Sequence, residues 1–207
     1  AVFRGEKLAL GHCRLSIIDT SFVANQPMFA QEGRYVIVYN GEILNFRELR
    51  NQYLKDETFH THSDTEVFLK LFIRFKEQSF KLLRGFFAAA IYDRDADELF
   101  VVRDRFGKKP LLYFQSGEVF AFASEMKSLL SFGIPKEVNW DLLPIYLQLN
   151  YIPQPYTMVK GVKKLNPGSY IRISGNKVEE IKYYQLRNSP ERYDQFSYEQ
   201  AQKQLIR

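Results

Sequence analysis

The run Tyr35-Val36-Ile37-Val38 leading into Tyr39-Asn40-Gly41-Glu42-Ile43-Leu44-Asn45 constrains the fold more than any other stretch. It is short, rich in β-branched residues and free of charge, so it predicts a strand buried on both faces that stops at Asn40. A buried strand ending in Asn-Gly-Glu presents an amide side chain and a bare backbone N–H at its mouth. Glycine lets a ligand approach the main chain because it has no Cβ. Two donors converging on one point are what an oxyanion hole requires. The same Asn-Gly pair is also the strongest short signal for a type I′ hairpin turn. Taken alone the motif reads as the turn; the neighbouring stretches favour the donor pair.

Upstream, Leu8 to Asp19 (LALGHCRLSIID) reads as a strand with its polar residues late. Arg14 sits among apolar neighbours, a costly place for a guanidinium without an anionic partner. Its planar fork suits a carboxylate, either an internal one such as Asp19 or Asp64 or that of a ligand. Asn25-Gln26-Pro27-Met28 reads as a turn. Downstream, Asn45 is placed to cap a short helix over Phe46–Leu54. Ser63 and Glu66 match a capping box opening a helix through Phe68, Leu71, Phe72 and Phe75. Asp64 takes the first helical position, where the helix dipole favours a carboxylate and where an ammonium group could also be received. His60 and His62 read as solvent-facing.

Leu82–Asp93 and Glu98–Asp104 form a predicted hairpin, with small alanines suggesting close approach of another layer. A second hairpin spans Leu111–Gln115 and Glu118–Ala123, and Ser124 is placed to cap the helix that follows. Trp140–Gln148 reads as a short helix with Pro144 in its first turn. Lys163–Ile173 and Lys177–Tyr184 pair through Ser174-Gly175-Asn176. Residues 187–196 are polar and read as a linker before a final helix.

Composition narrows the class. The 207 residues are 45% hydrophobic, enough for a real core, and no apolar stretch approaches the length of a membrane span. The formal charge is +5, but the basic residues are dispersed; the one tight group, Arg103-Asp104-Arg105-Phe106-Gly107-Lys108-Lys109, reads as a solvated turn. No nucleic-acid or membrane partner is expected. The single cysteine, Cys13, fits a reducing, cytoplasmic setting, and the three histidines are too scattered for a metal site.

Read together, these stretches resemble the glutaminase half of glutamine-hydrolysing asparagine synthetases, members of the class II (N-terminal-nucleophile) glutamine amidotransferases. The matching segments are GHCRLSIID from Gly11, QPMF from Gln26, VYNGEILNFRELR from Val38, HSDTEV from His62, RDRFGKKPLLY from Arg103, FASEMKSLL from Phe122 and YIPQPYTMVKGVKKLNPGSY from Tyr151.

The resemblance implies an α+β fold, an αββα sandwich of two antiparallel sheets between helical layers. It implies that Arg14 holds the α-carboxylate of glutamine, with Leu15, Ser16, Ile17 and Ile18 lining the pocket. Asp64, helped by Glu42, would take the α-ammonium, and Asn40 and Gly41 would stabilise the oxyanion. It breaks the tie over Arg14 in favour of substrate.

The family nucleophile is a cysteine at the mature N-terminus, whose own α-amine acts as base. The expectation is that this chain begins downstream of it, as a fragment without glutaminase activity, and that Cys13 is an inert core thiol facing away from Arg14. Residues 1–188 are expected to form the amidotransferase domain. Residues 189–207 would be a linker and first helix leading to a synthetase domain, where ATP and Mg²⁺ act and aspartate is amidated; no cofactor is expected in the amidotransferase domain. A related enzyme amidating a cell-envelope sugar or peptide, a non-catalytic glutamine- or partner-binding module, and a homodimer all stay open.

Overall fold

The computed structural model describes residues 1–13, 18–186 and 197–205. The central element is a six-stranded antiparallel sheet in the spatial order β11-β10-β6-β5-β4-β3. Its strands are β3 (Met28–Ala30), β4 (Tyr35–Ile43), β5 (Gly85–Asp93), β6 (Glu98–Arg103), β10 (Ser169–Ser174) and β11 (Lys177–Lys182). Alternation along the strands sorts their side chains onto two faces. Tyr35, Ile37, Tyr39, Phe87, Ala89, Ile91, Phe100 and Val102 pack into one core with Phe68, Leu71 and Phe72 of a helix. Val36, Val38, Ala88, Ala90, Leu99 and Val101 pack into a second core on the opposite face.

The helices over the first face are α1 (Phe46–Tyr53) and α2 (Asp64–Phe75). α2 begins where the capping box predicts, with Ser63 Oγ accepting from the Glu66 N–H at 3.2 Å. The Glu66 carboxylate does not close the box; it binds the N–H groups of His60 and Thr61. Asn45 occupies the cap position of α1 but makes no cap bond. Its amide instead pins the loop before β5, donating to Leu82 O and accepting from Arg84 N–H.

Across the second face lie two smaller antiparallel sheets, where two sheets in all were expected. One is a ribbon of β1 (Val2–Arg4) and β2 (Ala9–Gly11); the other is three-stranded, in the order β8-β7-β9. Its strands are β7 (Leu112–Ser116), β8 (Val119–Ala123) and β9 (Val162–Lys164). Leu112, Phe114, Ala121 and Val162 pack against Leu129 of α3 (Met126–Ser131), the outermost layer. The order of layers is therefore helix, sheet, sheet, helix. α4 (Leu143–Leu149) carries Pro144 in its first turn as expected, and α5 (Tyr198–Leu205) stands at the far end of the described chain.

Four further expectations change. The Leu8–Asp19 strand is short: β2 ends at Gly11, and residues 14–17 lie outside the described residues, as does the 187–196 linker. Lys163-Lys164 belong to β9 in the smaller sheet and not to the last hairpin, whose first strand starts at Ser169.

β4 neither stops at Asn40 nor turns there. It runs paired to β5 from Tyr35↔Asp93 to Ile43↔Gly85. This is the third change, and it removes the hairpin-turn reading of Asn-Gly.

The charge run 103–109 is the fourth. Arg103 is 5% exposed and Asp104 is fully buried. The Arg103 guanidinium donates to the carbonyls of Lys109, Gly107 and Leu165 and to Gln154 Oε1, all within 2.6–2.9 Å. Asp104 accepts from the N–H groups of Phe87, Phe106, Lys108 and Lys109. A turn whose backbone is satisfied by two buried charges is a built scaffold, not a solvated one.

Candidate active site

A cleft of about 680 Å³ opens between the layers at the C-terminal end of β4. Asn40 and Glu42 continue the face begun by Val36 and Val38. Asn40 is directly opposite Ala88 on β5, and Val38 is opposite Ala90. All four line the cleft, as do Asn40's neighbours Gly41 and Glu42. The alanines expected to bring another layer close instead leave the space that the cleft occupies.

Gly41 has φ +154°, and a Cβ there would lie 2.2 Å from Phe86 O and 2.6 Å from Phe87 Cα. Only glycine fits this approach of two strands. Asp104 holds the facing residue from the other side, its N–H donating to Phe87 O at 2.8 Å while Oδ2 accepts from Phe87 N–H. The buried turn thus fixes the strand against which Gly41 packs.

The Asn40 side-chain amide donates from Nδ2 to Ser124 Oγ at 3.1 Å. Ser124 was expected to cap α3; the cap position is Glu125, with no side-chain cap bond. Among the described residues, the second Nδ2 hydrogen of Asn40 has no acceptor.

Asp64 is 4% exposed and lines the same cleft. Its Oδ2 accepts from the Tyr39 phenol at 2.7 Å and from the Ile43 N–H at 2.9 Å. Burial raises its pKa above the ordinary 3.8, and these hydrogen bonds pull it part of the way back. Burial first, then the Asp64 charge, holds the Tyr39 phenol well above its ordinary value. Among the described residues no lysine or arginine forms an ion pair with Asp64 or with the half-buried Glu42.

Ile18 also lines the cleft, so Ile18, Asn40, Gly41, Glu42 and Asp64 come together. Arg14, Leu15, Ser16 and Ile17 lie outside the described residues. Cys13 is exposed and borders the cleft, which overturns the expectation of a buried core thiol. The sequence reading missed Ser124, Tyr39 and Gln26 as parts of the site. Ser124 and Gln26 stand in quoted motifs, FASEM and QPMF, so the signal was present without a local reason to read it.

The fold is an α+β layering of helix, sheet, sheet and helix, with the cleft at the end of β4. It is shared with the solved glutamine phosphoribosylpyrophosphate amidotransferase of B. subtilis in complex with ADP and GMP (TM-score 0.62, 22% identity, 87% of this chain and 36% of that one). The glutamine amidotransferase domain family matches residues 1–184, and the chain belongs to that family. Asparagine synthetase [glutamine-hydrolyzing] 1 of Bacillus subtilis (strain 168) is 40% identical over 172 residues, covering 83% of this chain and 27% of that protein. Amidase chry2 of Gibberella zeae is 32% identical over 186 residues, covering 90% and 27%. The chain therefore spans about a quarter of the length of these relatives. Among the described residues, no helix is long and apolar enough to cross a membrane.

Proposed function

We propose that the cleft binds L-glutamine and that the domain is the glutaminase part of an asparagine synthetase. It releases ammonia that a synthetase portion uses, with ATP and Mg²⁺, to amidate aspartate. One observation carries the reading: a buried carboxylate with no described cation beside it, Asp64, shares a cleft wall with a fixed amide donor, Asn40. An α-amino acid with a terminal amide answers both. Its ammonium meets Asp64, with Glu42 adding a second charge, and its amide carbonyl meets Asn40 and Gly41. Arg14 receives the α-carboxylate by its bidentate fork, with Leu15, Ser16, Ile17 and Ile18 lining the pocket.

The α-amine of the nucleophilic cysteine takes the thiol proton and the thiolate attacks the amide carbon. The carbonyl oxygen becomes an oxyanion held by Asn40 Nδ2 and Gly41 N–H. The C–N bond breaks as the α-ammonium passes that proton to the nitrogen, which leaves as ammonia. Water then cleaves the thioester to glutamate. Donors already fixed where charge develops stabilise the transition state without reorganisation. Cys13 is not assigned the attacking thiol: its nitrogen is a peptide nitrogen, and this class uses the nucleophile's own α-amine as base. We infer that residues 1–207 alone do not hydrolyse glutamine.

ATP and Mg²⁺ are assigned to the synthetase portion. Residues 1–188 are assigned to the amidotransferase domain and 189–207 to the connection onward, in a cytoplasmic setting where the lone thiol stays reduced.

Calorimetric titration of the chain with L-glutamine, D-glutamine and L-glutamate tests the binding reading. L-Glutamine and L-glutamate bind, the D-enantiomer does not, and Asp64→Asn removes the heat. Equal binding of the two enantiomers, or none of either, overturns it.

A further inference from the structure

We infer that Gln26 is a further ligand-binding residue, its Nε2 donating to the α-carboxylate of the bound amino acid; this rests on the amino-acid reading of the cleft. Gln26 is 6% exposed. β3 pairs with β4 only from Met28↔Ile37 to Ala30↔Tyr35, and Pro27 has no N–H to extend the ladder. The Gln26 side chain continues the pairing instead, its Oε1 accepting from the Tyr39 N–H at 2.5 Å.

That bond fixes the amide. A backbone N–H can only donate, so the atom facing it is the oxygen, and the two-donor half of the side chain must point the other way. No described residue accepts from Nε2, yet Gln26 lines the cleft beside Asn40 and Asp64. Nε2 keeps contact with the open cleft and has no acceptor among the described residues, so it is free to donate to a ligand or to water.

The proposed ligand offers one acceptor that is not already served within the described wall. Its amide carbonyl goes to Asn40 and Gly41, and its ammonium needs acceptors, not donors. Its α-carboxylate has more lone pairs than the single fork of Arg14 fills. Gln26 is thus a positioning and binding group for the amino-acid end of the substrate, separate from the groups that stabilise the oxyanion.

Gln26→Glu separates the two halves of the side chain. It keeps an oxygen for the Tyr39 N–H and replaces the inward donor by an oxygen. When ionised, that oxygen repels a carboxylate; when protonated, its O–H donates as Nε2 does. Burial near Asp64 raises the introduced group's pKa, so a pH series is the informative measurement. The other ionisable groups that line the cleft (the Ala1 amine, His12, Cys13, Asp19, Tyr39, Glu42, Asp64, Lys109 and Glu125) are common to both proteins, so the difference between the two pH profiles reports on position 26.

The probe is L-glutamate, measured calorimetrically from pH 5 to pH 9 alongside thermal unfolding. The variant should bind within about twofold of the wild type at the acid end and about tenfold or more weaker at the alkaline end, while staying folded throughout. In the wild-type protein, the Gln26 side-chain amide resonances should shift and exchange more slowly on saturation with L-glutamate. Parallel pH profiles in the two proteins, or unmoved Gln26 resonances in a wild type that binds, overturn this inference alone. Failure of the wild type to bind glutamate or glutamine overturns the amino-acid reading itself.

Discussion

Asn40 and Ser124, 84 residues apart in sequence, meet in a single hydrogen bond of 3.1 Å from the Asn40 amide to the Ser124 hydroxyl. The bond joins β4 of the large sheet to the loop after β8 of the small one, across the cleft. It holds one amide hydrogen, so the other is aimed before any ligand arrives. Asn40→Ala, in a polypeptide with glutaminase activity, should lower turnover by about 10²–10³, roughly 2.7–4 kcal/mol, with little change in KM. Ser124→Ala should cost less, because the amide remains and loses only its tether. Ammonia-dependent synthesis should survive both. Steady-state kinetics with glutamine and with ammonium salts checks all three, and a change confined to KM counts against the oxyanion role.

Asp64 should trade stability for binding. Its carboxyl is raised above 3.8 by burial, so the unfolded chain ionises first as pH rises. The folded state binds the proton more tightly, and ionisation of Asp64 therefore subtracts stability as pH climbs from about 3.8 through the raised value; above that, the penalty is constant. Asp64→Asn keeps an oxygen for Tyr39 and Ile43, so it should unfold at an equal or higher temperature at pH 7. The same change should abolish amino-acid binding. In the unsubstituted protein, affinity for an ammonium-bearing ligand should rise as pH passes the Asp64 pKa. Thermal scans and calorimetry at matched pH decide, and a destabilised Asp64→Asn would assign the residue a purely structural role.

Gly41→Ala should disrupt the fold before it disturbs chemistry. The added Cβ meets backbone atoms of Phe86 and Phe87 at 2.2 and 2.6 Å, and backbone cannot swing aside as a side chain can. The expected cost is about 3 kcal/mol or more, read from urea unfolding. A loss under 1 kcal/mol would mean that β4 and β5 separate freely at this point.

How much of this was legible in the sequence depends on how local the cause is. The start of α2 at Asp64 follows from Ser63 and Glu66 three residues apart, and the structure places it there. The continuation of β4 through Asn40-Gly41 does not follow from propensity, because both residues are poor strand formers; pairing with β5 across to Gly85 overrides it. Ser124 looks like a helix cap until Asn40 is brought to it. Gln26 looks like a turn residue until its side chain is seen standing in for a strand. Arg103 and Asp104 read as solvent-facing because charges were visible in the sequence and the carbonyls and N–H groups they would satisfy were not.

Those two charges give a direct test of the scaffold. Burial lowers the Arg103 pKa, with Asp104 acting in the opposite sense, and four acceptors share its fork. Lysine offers a point charge with fewer donors and no planar fork. Arg103→Lys should cost about 1–3 kcal/mol in urea unfolding, since buried carbonyls are left unpaired. Lys108→Ala, at an exposed position of the same run, should stay within about 0.5 kcal/mol. Equal effects of the two would restore the solvated reading of the turn.

Cys13 gives the last prediction. It borders the cleft and is exposed, so access does not protect it from an electrophile. Its nitrogen is acylated by His12, so it has no α-amine to serve as the base that this class of nucleophile uses. A thiol without such a base lacks the activation on which this class of nucleophile relies. Diazo-oxo-norleucine, an electrophilic glutamine analogue, should therefore leave Cys13 unmodified under conditions where iodoacetamide alkylates it. Any slow adduct should form at the same rate with and without saturating L-glutamate. Cys13→Ser should bind L-glutamate as the unsubstituted chain does. Intact-mass spectrometry with peptide mapping reads the outcome directly. A stoichiometric diazo-oxo-norleucine adduct on Cys13 that glutamate prevents would move the nucleophile into the described chain and place the attack on the His12 side of the cleft.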